Sequence, residues 1–174
     1  MKRFLIIVFV LFPLSLSSQT QSSGMTPYVF QKVWDYVTQN KINNAEALLK
    51  KRGYRKVGDY NRTIGFNKIY VKDCTVTVSN DGTVKSSRAT TRSGYASYFE
   101  IGAGIGLCYD ISVTFLSRTG TNAFIKLLKK SNYRFSRKDL YDWEKIDNVW
   151  QRSKDGWFLL QQHNTFYLNE GPCA

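Results

Sequence analysis

The stretch LLKKRGYR at residues 48–55 returns as LLKKSNYR at residues 127–134, six of eight letters kept at an offset of 79. No other feature limits the fold as much, because the repeat asks for one local structure twice. In each copy the paired leucines give a helix its apolar side. Lysines gather in the last turn, where positive charge meets the negative end of the helix dipole and contributes about 0.3–1 kcal/mol each at most. Gly53 and Asn132 then fall where the backbone must turn left-handed to close the helix; glycine does this freely and asparagine is the next most tolerant type. Tyr54 and Tyr133 begin the return toward a sheet. The motif reads as scaffolding, not as a ligand site.

The echo continues beyond the helix. FNKI at 66–69 resembles WEKI at 143–146, and the Asp81-Gly82 turn is matched by Asp155-Gly156. The expected class is α+β, with two tandem units of helix plus antiparallel sheet forming one two-layer domain. The N-terminal helices and first unit would span 26–119, and the second unit 120–174. Thr26 and Pro27 open a first helix, with Phe30, Val33, Trp34 and Val37 along one stripe. A second begins near Asn43, with Glu46 in capping-box register and Ala45, Leu48 and Leu49 inward. Strands are expected near 64–71, 74–79, 83–90 and 107–116, with a hairpin at SNDG. A helix follows near 121–131, then strands near 142–151, 156–162 and 165–169. Over 138–152, Leu140, Trp143, Ile146 and Trp150 also approximate a helical stripe, so a short helix competes there. The strand at 83–90 is polar on both faces, which suits a sheet edge.

The chain opens with Met1, Lys2 and Arg3, followed by an apolar run from Phe4 to Leu16 and small residues at Ser15 and Ser17. This is the pattern of a secretory signal peptide over residues 1–18, followed by a flexible leader at 19–25. A thirteen-residue helix reaches roughly 20 Å, short of a hydrocarbon core of about 30 Å. The expected location is secreted or periplasmic. The formal net charge is +12 from 25 Lys plus Arg against 13 Asp plus Glu, and loss of Lys2 and Arg3 with the signal would bring it to +10. A surplus of that size draws the protein toward anionic partners.

Of three cysteines, Cys74 shares a strand face with Val76 and Val78, while Cys108 shares one with Asp110, Ser112 and Thr114. The two would face opposite sides of the sheet, which makes them poor partners. The expected bridge is therefore Cys108 to Cys173, with Cys74 left as a buried thiol.

Catalytic patterns are sparse. His163, the one histidine, falls in an expected hairpin turn, HNT, with no nucleophile marked beside it. GAGIG at 102–106 fails the dinucleotide fingerprint, since Leu107 stands where glycine is needed, and no Gly-Lys-Ser/Thr follows. Its glycines suit a bulge or bend before a strand. Asp139, Asp142, Glu144 and Asp147 lie among Lys138, Lys145 and Arg152, as an exposed charge-balanced segment would. Neither a metal nor a cofactor is expected. Aromatic residues near cations remain: Arg137, Lys138, Trp143, Trp150, Arg152 and Trp157 form the expected partner-binding set, since such side chains anchor interfaces and stack on bases or sugars.

An export signal followed by two helix-then-sheet units over residues 43–169 resembles exported bacterial proteins built from tandem repeats, as in the β-lactamase-inhibitor-like architecture. The resemblance implies a curved sheet whose concave face grips a partner, and it carries over no individual residue. The functional expectation is an exported, non-catalytic binding module, inhibitor-like or immunity-like, that presents a basic aromatic sheet face to an acidic protein. The alternative is a binder of anionic envelope glycan, lipid or nucleic acid.

Overall fold

The computed structural model describes residues 24–62, 65–104, 108–137, 146–155 and 157–169. The expected signal peptide and most of the leader lie outside them. Helix α1 spans Pro27–Thr38, where the Thr26 hydroxyl accepts from the Val29 amide at 3.2 Å and proline takes the first turn. Helix α2 spans Ile42–Lys51. It starts without a side-chain cap: Glu46 turns instead to Lys56 and Tyr70, so the expected capping box is not formed. After these come β1 (Arg55–Arg62), β2 (Gly65–Lys72), β3 (Cys74–Val78), β4 (Val84–Ala89), β5 (Ser97–Ala103) and β6 (Tyr109–Phe115). Helix α3 (Arg118–Lys130) leads into β7 (Tyr133–Arg137), β8 (Asn148–Arg152), β9 (Phe158–Gln162) and β10 (Thr165–Asn169). No helix among the described residues is long and apolar enough to cross a membrane.

The expected α+β class with two helix-and-sheet units is corrected by the strand pairing. The described residues are mostly sheet, about 45% strand against 27% helix. One eight-stranded antiparallel sheet runs β1-β2-β5-β6-β10-β9-β8-β7, and β3 and β4 form a separate two-stranded ribbon. The four strands of this sheet that precede α3 and the four that follow it do not stand apart, because β6 and β10 pair from Thr114↔Thr165 to Asp110↔Asn169. The boundary expected at 119/120 falls inside α3.

Three strands were not expected, namely β1, β5 and β7. β1 and β7 form the two outer edges, where most β1 side chains meet solvent and neither strand needs an apolar alternation. Each is interrupted by a bulge, between Lys56 and Gly58 in β1 and between Phe135 and Arg137 in β7. Bulges and charges blunt an exposed edge against pairing with other chains. Residues 138–145 lie outside the described set, and Trp150 is in a strand.

One side of the sheet is covered by helices. Phe30 and Val33 of α1, Leu49 of α2, and Phe124 and Leu128 of α3 are buried against Phe99, Ile101, Ile111, Leu159 and Phe166. The rings interlock, with centroids 5.7 Å apart for Phe30–Phe99 and 4.7 Å for Phe124–Phe166. Such pairs add about 0.5–1.5 kcal/mol each beyond the area they bury. The other side carries the β3–β4 ribbon over β2 and β5, through Val71, Cys74, Val76, Ala96 and Tyr98. Cys74 is a buried free thiol whose Sγ lies 3.2 Å from the Ser97 carbonyl oxygen. At the ribbon's tip Gly82, at φ +80°, sits where a Cβ would come within 2.9 Å of Tyr60, and its carbonyl accepts from Asn67 at 2.8 Å.

Candidate functional site

Past the ribbon is the open side of the sheet, which no described helix covers; there Ser112, Thr114, Thr165 and Tyr167 of β6 and β10 are half-buried and Leu160 of β9 is buried. Strand alternation and register arrange its side chains in rows. Tyr98, Thr114, Thr165 and Gln162 make one row; Glu100, Ser112, Tyr167 and Leu160 make the next. In the first, the Thr114 and Thr165 hydroxyls are 2.9 Å apart, and burial pushes the Tyr98 phenol above its ordinary pKa against the pull of its bond to Thr114. In the second, Glu100 accepts from the Asn67 amide at 3.2 Å and from the Ser112 hydroxyl at 3.5 Å. Tyr167 packs beside Ile146, Val149 and Leu160.

The Glu100 row borders a groove of about 420 Å³ that also takes in Asn67, Thr83, Gly102, Cys108 and Asp110. A Cβ on Gly102 would lie 2.1 Å from Asp110 Oδ1, so the carboxylate rests directly over bare backbone and would have to swing aside for a side chain there. Two carboxylates, an amide and several hydroxyls thus share one patch. It is built to accept hydrogen bonds from donors, with Glu100 held by neighbours on both sides.

The expected partner-binding residues sit elsewhere. Trp150 is only 5% exposed, its ring belongs to the main core, and its Nε1 donates to Gln161 at 2.8 Å. Trp157 is half-buried against the same core. The Arg152 guanidinium lies 5.3 Å from the Tyr133 ring centre and is bonded to Asp155. These three come together in the β8–β9 hairpin, where the Arg152 amide donates to the Trp157 carbonyl at 2.7 Å, but on the helix-covered side. A tryptophan with a satisfied indole N–H inside the core is a packing residue, so Trp150 presents no surface to a partner. Lys138 and Trp143 lie outside the described residues, as does the side chain of Arg137.

The remaining expectations resolve individually. His163 takes a positive φ of 53° in the β9–β10 turn, and its ring Nδ1 lies 3.0 Å from Asp147. Gly102 lies in β5 and Gly104 follows the strand, its amide donating to the Cys108 carbonyl at 3.0 Å; the rest of GAGIG, where the bulge or bend was expected, lies outside the described residues. Cys173, the expected partner of Cys108, lies outside the described residues. No cluster of three or more His, Cys, Asp or Glu fit to hold a metal ion occurs among the described residues.

Basic side chains are concentrated on the helices and the β1 edge. Lys50 and Lys51 end α2, and Lys129 and Lys130 end α3. At the β1 edge Lys56 and Lys68 alternate with Glu46 and Asp59 at 2.7–3.7 Å. Burial raises the Asp59 pKa, but bonds from Lys56 and Lys68 outweigh it and hold the carboxyl below its ordinary range. Sequence reasoning missed Asn67, Glu100 and Gly102. The available signal was the alternation in SYFEI, which places Glu100 on the face opposite Phe99 and Ile101.

No family model, no curated protein and no solved structure matches this chain.

Proposed function

We propose that this chain is an exported, non-catalytic binding module that engages a protein partner through the open side of its sheet. The observation that carries the reading is the patch of Glu100, Ser112, Asp110 and the paired threonines on a sheet whose other side is sealed by helices. A rigid sheet holds such groups in fixed register, so little conformational entropy is lost when a partner docks. With Lys2 and Arg3 gone in the signal, a net charge of +10 draws an acidic protein from a distance, while at short range the carboxylates take donors from that partner. Use of one sheet face for gripping is also what the resemblance to inhibitor-like repeats implies. The Cys108–Cys173 bridge belongs to this exported reading, and a non-reducing peptide map checks it.

The test is capture and identification of the partner, followed by affinity measurement with Ser112→Arg and Thr114→Arg. Both side chains are half-buried on the open side, so a long cation there obstructs docking without entering the core. The expected loss is at least roughly thirtyfold in variants that still unfold cooperatively well above the assay temperature. Equal affinity of the variants overturns the assignment of this face. The second reading, an anionic glycan, lipid or nucleic acid, is favoured by the lysines closing α2 and α3. It predicts a steep fall of affinity with salt, and no response to substitutions on the open side.

A further inference from the structure

We propose that the groove beside α3 binds a single-chain anionic amphiphile, a fatty-acid-like molecule with one carboxylate head. The groove measures about 550 Å³, within the span of small-molecule sites. Its walls are Met25, Tyr95, Phe115, Phe124 and Leu127, and its rim carries Lys126, Lys129 and Lys130. Met25 and Phe124 are buried, whereas Tyr95 is 42% exposed, so a dry floor runs out to an open mouth.

The fold builds this trough on purpose-made joints. The Ser117 hydroxyl caps α3 through the Gly120 amide and also donates to the Gly94 carbonyl, which holds the turn bearing Tyr95 against the helix. Gly94 takes a φ of +71°, and a Cβ on Gly120 would come within 3.0 Å of the Gly94 oxygen and of the Phe115 ring. Neither position accepts a side chain without moving the wall.

Charge selects the occupant. The helix sequence RTGTNAFIKLLKK contains no acid, and no described residue lining the groove is Asp or Glu. Three ammonium groups beside a floor that is apolar except for Thr119 match a hydrocarbon tail ending in one negative head. Lysine stems add their own methylenes to the wall while the charges stay in water. A nucleic acid would need a longer basic track, and a neutral sugar would need paired donors and acceptors that this floor lacks.

Isothermal titration of the full chain with dodecanoate, octanoate and dodecyltrimethylammonium, each below its micelle concentration, tests the proposal. Dodecanoate should bind saturably, one per chain. Octanoate should bind more weakly, by up to roughly fourfold for each methylene lost from the buried tail. The cationic analogue should not bind. The combined variant Lys126→Gln, Lys129→Gln, Lys130→Gln changes exposed side chains only, and should lose roughly tenfold for dodecanoate. Leu127→Glu should abolish binding, and if it fails to fold, the lysine variant still decides. Non-saturable uptake, equal binding of the cationic analogue, or full affinity of the lysine variant overturns the proposal. The open side of the sheet is untouched by these variants, so their failure leaves the reading of that face standing.

Discussion

The two copies of the repeat share a backbone and diverge in what they do with it. Gly53 and Asn132 both take positive φ, at 86° and 62°, and Leu49 and Leu128 are both fully buried. Tyr54 and Tyr133 are 3% and 2% exposed. Each copy then feeds an outer strand, β1 on one edge of the sheet and β7 on the other. The difference lies in the tyrosines' neighbours. The Tyr54 hydroxyl is 2.8 Å from Ser97 Oγ inside the core, and burial pushes its pKa well above the ordinary range. Tyr133 has its ring under the Arg152 guanidinium. Lys72 and Arg152 occupy matching places, one residue beyond the partners of Arg55 and Arg134. Lys72 donates to the Arg52 carbonyl at the end of α2, whereas Arg152 stacks on the ring and bonds Asp155. The repeated letters therefore fix a turn from helix to edge strand, and the non-repeated strand beside it decides how that turn is held.

Substitutions in matched pairs can break this comparison. The largest effect is expected from Leu49→Ala and Leu128→Ala, each costing about 2–5 kcal/mol in urea unfolding, since both side chains are fully buried. A large loss at only one of them would deny the repeat its common scaffolding role. Next comes Tyr54→Phe, which strands the buried Ser97 hydroxyl and should cost about 1–3 kcal/mol, against a negligible change for Tyr133→Phe. Gly53→Ala should cost about 1–2 kcal/mol from backbone strain alone. The added Cβ would make only ordinary contact, 3.6 Å from the Lys72 stem. Asn132→Gly should shift stability by a few tenths at most, because both residues tolerate the turn.

The smallest effect is a pH dependence of the two edges. Asp59 in β1 and Asp155 after β8 are both held below the ordinary carboxylate range, Asp155 through its bond to Arg152. A depressed folded-state pKa means stability that is present above the unfolded value and lost as pH falls through the folded one. Unfolding midpoints should therefore decline below about pH 4, and Asp59→Asn should flatten that decline by no more than tenths of a kcal/mol after solvent screening. A variant that steepens the decline would sink this account of the β1 edge.

Legibility in the sequence followed how local each instruction was. The Thr26 cap, the α1 stripe and the left-handed exits at Gly53 and Asn132 depend on neighbours a few residues away, and they read correctly. Ile111, Val113 and Phe115 showed their buried face by alternation. Edge strands did not read, because solvent on both faces of β1 removes the period that marks a strand. Trp150 misled because a large ring near cations looks the same in sequence whether its indole N–H meets a partner or, as here, Gln161. The Glu100 patch was invisible for a related reason: Asn67, Glu100 and Ser112 are far apart in the chain and meet only through register.

By itself the sequence determined the Thr26 cap, the left-handed helix exits, the inward stripes, the basic surplus and the twice-made turn, since each rests on short-range sterics, dihedral preference or summed charge. Only the tertiary structure decided that β6 joins β10 to close one sheet out of two runs, which side the helices cover, and that carboxylates meet on the open side. Those outcomes depend on hydrogen-bond register between distant strands, and a shift of one residue would send every side chain to the opposite face.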